Sequence, residues 1–233
     1  MLRNLLNKLS GSTPPPPPAG IREVLFGDLS LDQWPRPGSD LAATEPWNWF
    51  VAAQQAVEQH DAAAAAEALR RVLATDGLEA RHYLQAWQAL RELGQEPTAA
   101  EAKQVLGVVV EVGLDQGLDL VAAYADGSAR YYNFSGAGVV WERPDDSLVA
   151  PIQGLLAAGQ RVAEQIGPWT EPRPAAPPKG TVRINMLTPS GLHFGQASFE
   201  ALWQDALGGP VLVAAQQLME ALIGKSEAGK SAG

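Results

Sequence analysis

Histidine is the side chain best suited to proton transfer near neutral pH, and this chain holds three: His60, His82 and His193. His60 stands beside Asp61 at the end of an apolar-periodic stretch, where a cation complements a helix C-terminus. His82 lies between Arg81 and Tyr83. No second histidine follows four residues later, so the H-E-x-x-H pattern of helical zinc sites is missing. His193 belongs to the turn-rich run Ser190-Gly191-Leu192-His193-Phe194-Gly195-Gln196-Ala197-Ser198. A Ser–His pair there would activate a hydroxyl, but neither a G-x-S-x-G elbow nor an acidic third member accompanies it. His193 is read as a strand residue that packs, bonds locally or contributes to binding.

The carboxylates have structural readings. Asp126-Gly127 has the composition of a tight hairpin turn. Asp145-Asp146 precede an apolar-periodic stretch and suit its N-terminus. Asp115 and Asp119 flank Gly117 without the spacing of a calcium loop. Gly136-Ala137-Gly138 and Gly224-Lys225-Ser226 echo fragments of phosphate loops, but each lacks the strand–glycine–helix context that cradles a phosphate. The chain has no cysteine, which removes thiol nucleophiles, disulfides and thiolate metal sites. No catalytic residue, metal ligand or cofactor is assigned, and an enzyme is not expected. If a site without a motif exists, its first candidates are His193, Asp126 and Arg130, around the 126–134 and 190–198 turns.

Hydrophobic residues make up 46% of the 233 residues and charged ones 18%, enough apolar content for a folded core. The formal net charge of −9 repels phosphate backbones, so nucleic acid is not an expected partner. No stretch approaches the roughly 20 apolar residues that span a bilayer. MLRNLLNKL at the start is too short and interrupted for a signal peptide. A cytoplasmic location follows as the expectation. The wealth of Ala, Gly and Pro suggests a bacterial source.

The elements that would position these residues fall into segments. In residues 1–9, Leu2, Leu5, Leu6 and Leu9 share one helical face. Pro14 to Pro18 then form an extended spacer, so 1–18 reads as a flexible amphipathic segment on a tether. Residues 19–104 read as an irregular arm and a small module of antiparallel helices. Within it Asp61 is an N-cap, Gly94 is a stop, and Thr98-Ala99-Ala100-Glu101 is a capping box for a short last helix. Too few signature positions of any known repeat are present to define an array.

From Val105 the apolar period changes from 3.6 to 2. A strand at 105–112, another at 118–124 and returns through 130–134 and 139–141 make a meander. A helix follows at about 147–166, and Gly167-Pro168 stops it. Val182, Ile184 and Met186 alternate with Arg183 and Asn185, so that strand should bury one face and wet the other. A hairpin partner follows around 192–195, and Ser198 caps a helix carrying Phe199, Leu202, Trp203 and Ala206. Residues 105–224 therefore read as a two-layer α+β domain, an antiparallel meander plus hairpin packed against helices. Residues 225–233 read as a disordered tail.

The function expected is that of a non-enzymatic interaction or adaptor protein. The alternatives are a small-molecule sensor or the enzyme with the turn-built site. The partner would be another protein, reached through Leu2, Leu5, Leu6 and Leu9 as a helix docking in its groove. The same segment supports weak peripheral membrane contact and no stable insertion. Trp49 and Tyr132 join the binding candidates, because Trp47/Trp49 and Tyr131/Tyr132 cannot both face one core, and exposed aromatics anchor interfaces. The oligomeric state is left open by the sequence.

Overall fold

In the computed structural model, residues 20–32 and 38–231 are described. Leu2, Leu5, Leu6 and Leu9 lie outside the described residues. The fold is α+β: helices surround a six-stranded, wholly antiparallel sheet of order β4-β3-β2-β1-β5-β6. Its strands are β1 Gly107–Leu114, β2 Gly117–Tyr124, β3 Ala129–Tyr132, β4 Gly138–Trp141, β5 Thr181–Thr188 and β6 Gly191–Ser198. The helices are α1 Glu23–Phe26, α2 Ser39–Ala42, α3 Trp47–Glu58, α4 Ala62–Ala74, α5 Ala80–Glu92, α6 Val149–Gln165, α7 Phe199–Gln204 and α8 Gly208–Ser231.

Local signals account for the boundaries. The Asp61 carboxylate accepts from the Ala64 N–H at 2.9 Å and starts α4, and Ser198 Oγ does the same for Ala201 at the start of α7. Gly94, at φ +73°, follows the end of α5. Thr98 and Glu101 do form the reciprocal bonds of a capping box, yet only a turn results. The chain must enter β1 a few residues later, and one turn is too short to sustain a helix. In the opposite sense, α8 runs on to Ser231, past residue 225 where a polar tail was expected.

One face of the sheet carries Val108 and Val110 of β1, Val121 and Ala123 of β2 and Ile184 and Met186 of β5. They form the main core with Ile152 and Leu155 of α6 and Leu218 and Leu222 of α8. Helix α6 comes close enough that a Cβ on Gly159 would sit 2.5 Å from Val108 Cγ2 and 3.3 Å from Met186 Cγ. Alanine there overpacks a full core, which outweighs its better helix propensity. Gly159→Ala should lower stability by about 1–2 kcal/mol in urea titration. An unchanged or raised midpoint would contradict this packing.

The opposite face differs from the expectation. Arg183 and Asn185 are not wet; they are 4% and 0% exposed. The arm and the helical module cover them. Val109, Leu120, Ala122, Tyr124 and Leu187 of the sheet pack with Leu25 and Phe26 of α1 and Ala80 and Leu84 of α5. Helix α5 turns its other side, Ala86, Ala89 and Leu90, to a separate core with Phe50, Leu69 and Val72. It therefore joins the helical module to the sheet. Polar side chains fasten the arm: Tyr124 Oη donates to Leu25 O at 2.6 Å, and Gln54 Nε2 donates to Leu31 O at 2.9 Å.

Candidate functional site

The Ser–His pair is present but is built as a tie. Ser190 Oγ lies 3.1 Å from His193 Nε2, and His193 Nδ1 lies 3.2 Å from the Ile166 carbonyl. A carbonyl thus stands where a triad would place an acid. Ser190 Oγ donates to Ala102 O at 2.5 Å, which commits its proton to the backbone. Burial holds the imidazole pKa below its ordinary value. The group fastens the β5–β6 hairpin to the end of α6 and to the turn that precedes β1.

Asp126 and Arg130 do not join it. The Asp126 carboxylate accepts from Ala80 N at 2.6 Å, at the start of α5, and from Ser128 N at 2.7 Å. Arg130 is buried against the Trp141 carbonyl and pairs with Glu142 at 2.6 Å. By register Arg130 shares the arm-covered face with Ala122, whereas His193 shares the α6 face with Met186. Strands β3 and β6 are four inter-strand steps apart, about 19 Å. Trp49 is half-buried against the helical-module core with the Arg71 guanidinium 5.9 Å from its ring. Tyr132 is half-buried on the arm-covered face.

A buried ion-pair cluster and one buried carboxyl have surroundings that no local pattern in the sequence reveals. On the arm-covered face, Glu111 is fully buried and accepts from Arg22 Nε at 2.5 Å, Asn185 Nδ2 at 3.2 Å and Arg183 Nη1 at 3.4 Å. Arg22 also donates to Pro174 O and Arg183 to Ala175 O, while Arg173 pairs with Asp28 at 2.5 Å and lies 4.2 Å from the Phe26 ring. The cluster locks the arm and the proline-rich 170–180 loop onto the sheet. On the α6/α8 face, Asp119 is 4% exposed. Its Oδ1 accepts from Phe134 N at 2.8 Å, and Oδ2 has no partner among the described residues. It borders a small, partly open space of about 30 Å³ beside α8. Burial pushes its pKa up to about 6, against the pull of the Phe134 N–H.

An open groove of about 620 Å³ lies between α6 and α8. Its floor is made of small residues, Gly154 and Ala158 of α6 and Ala214 of α8. Its walls are Trp203 and Val213, which are 41% and 43% exposed. Arg161 and Asp205 also line it. Of the apolar residues on α7, Phe199 and Trp203 stack with ring centroids 5.5 Å apart, and only Leu202 is buried. The helix ends within two turns and the chain breaks at Gly208-Gly209-Pro210, so the stretch is too short for a helical stripe to define one buried face.

No protein-family model, curated protein or solved structure matches this chain. Among the described residues no group of three or more His, Asp or Glu side chains is arranged to hold a metal ion, and no helix is long and apolar enough to cross a membrane.

Proposed function

We propose that this protein is a non-enzymatic interaction module that receives an amphipathic helix of a partner protein in the α6/α8 groove. The observation that carries the reading is the exposed apolar wall of Trp203 and Val213 over a floor of small residues. A tryptophan beside a shallow apolar floor has the chemistry of an interface anchor. Gly154 adds to this. It sits in mid-helix with nothing within 4 Å of an added Cβ, so the fold itself makes no use of its smallness. Glycine costs a helix about 1 kcal/mol relative to alanine. A partner helix laying bulky side chains into the groove uses that space. Arg161 and Asp205, of opposite sign, provide charges that would orient it.

The test is affinity capture with the wild type, Gly154→Trp and, as a control on the helical module, the exposed Ala63→Trp. Position 154 has room for the new side chain, so folding should be retained. Gly154→Trp should reduce capture of a specific partner roughly tenfold or more, equivalent to about 1.4 kcal/mol, while Ala63→Trp leaves it unchanged. Equal capture by all three proteins would remove the groove from the function.

A further inference from the structure

The two edges of the sheet are treated differently. Strand β4 is four residues long and runs into Glu142-Arg143-Pro144, a short, charged and proline-terminated edge. Edge strands of that kind resist pairing with another chain. Strand β6 is eight residues long and its sequence, GLHFGQAS, contains neither a full charge nor a proline. Its register with β5 is unbroken from Gly191 to Ser198, so no bulge twists the edge away.

The hydrogen-bond pattern says which groups this edge offers. The Leu192 carbonyl points outward, since it accepts from Trp169 N at 2.6 Å in the loop that passes this end. Phe199 N points inward, to Gly180 O at 3.2 Å. Alternation along the strand then turns the N–H and C=O of Phe194 and Gln196, and the N–H of Ser198, away from β5. The open run is short. Trp169 closes it at Leu192, and the chain turns into α7 at Phe199.

We infer that β6 pairs antiparallel with β6 of a second copy of this chain, with Gln196 on the two-fold axis. A run of open groups centred on one residue is self-complementary by symmetry, whereas a longer linear peptide would meet Trp169. In this pairing Gln196 exchanges both backbone bonds with Gln196 of the second copy. The Ser198 N–H of each copy donates to the Phe194 carbonyl of the other. Gly195 and Ala197, both small, face each other across the junction on the α6 side. Gly195 has no role inside the fold: an added Cβ would make only ordinary contact with Ile184, at 3.7 Å. Glycine in a strand interior commonly marks close approach by another backbone. The Gln196 side chain is held flat by Arg183 Nε at 2.8 Å, which keeps the edge in line.

The absence of cysteine makes the test clean. Gln196→Cys places one thiol per chain at the proposed axis, where a hydrogen-bonded antiparallel pair has Cα atoms about 5.5 Å apart, within disulfide reach. Mild oxidation should convert it almost fully to a covalent dimer, while Val140→Cys on the β4 edge should stay largely monomeric. The wild type should also elute at twice the chain mass by light scattering. Gly195→Lys, which brings like charges together at the junction, should elute as a folded monomer with an unchanged circular dichroism spectrum and a melting temperature that no longer depends on protein concentration. A monomeric wild type at about 100 μM, far above the Kd of a stable dimer, would overturn the inference. So would equal oxidation at positions 196 and 140, or a dimer that survives Gly195→Lys.

Discussion

Glu111→Ala should destabilise the protein by about 3–5 kcal/mol, the cost of removing one partner from a buried ion-pair network. The carboxylate is fully buried, and it pairs with both Arg22 and Arg183. Without it, two guanidinium groups keep the Pro174 and Ala175 carbonyls and Gln196 as hydrogen-bond partners among the described residues, and no compensating carboxylate there. The effect should have a local signature. Because Arg22 anchors the arm and Arg183 the proline-rich loop, amide exchange over residues 20–32 and 170–180 should accelerate more than in α8. Urea titration and hydrogen exchange check the two parts. A double replacement, Glu111→Leu with Arg183→Met, should recover much of the loss, since apolar groups of similar volume can substitute for a buried pair. A loss under 1 kcal/mol for Glu111→Ala would mean that the cluster does not hold the arm.

Asp119→Asn should stabilise the protein above pH 6, by about 3 kcal/mol at pH 8. The sign follows from the raised pKa. A carboxyl that titrates near 6 when folded and near 3.8 when unfolded binds its proton more tightly in the native state. Its contribution to stability is fully present below pH 4, falls as the pH rises from about 4 to 6, and is a penalty above that. Two pKa units correspond to about 3 kcal/mol. Asparagine keeps the acceptor for the Phe134 N–H and places no charge against Val112, Val121 and Met219, which border the same space. The two proteins should therefore converge near pH 4 and separate above pH 6 in melting experiments. A difference independent of pH would show that Asp119 is not a buried titrating group. The Tyr131 hydroxyl, also without a partner among the described residues, is pushed above its ordinary pKa by burial and by the nearby Asp119. Any charge on Asp119 therefore makes ionisation of Tyr131 less favourable.

Local chemistry was legible in the sequence wherever a few adjacent residues decide the outcome. Asp126-Gly127 turned the chain, Asp61 and Ser198 capped helices, and the Ile152–Leu155–Val162 stripe marked the core side of α6. The alternation of β5 was equally plain, but its meaning was not. Arg183 and Asn185 read as a wet face because nothing nearby in sequence could cover them. Their partners are Glu111, 72 and 74 residues away, and loop carbonyls before β5. Long-range cover of this kind leaves no periodic trace. The groove was missed for a related reason: it is the space left between two helices separated by a hairpin, and no local pattern encodes a gap. His193 attracted attention as a reactive type, yet its setting, a serine committed to one carbonyl and a ring nitrogen facing another, is decided by α6 and the turn before β1.

The interior polar groups hold the fold together, and we propose that the α6/α8 groove is what meets the partner. Site-specific photocrosslinking tests it most directly, with p-benzoylphenylalanine placed at Val213 in the groove and at Ala63 on the helical module, in the source cell. A discrete light-dependent adduct is expected from position 213, absent from position 63 and lost when Gly154→Trp is added. Adducts of equal strength from both positions, or none from position 213, would contradict it.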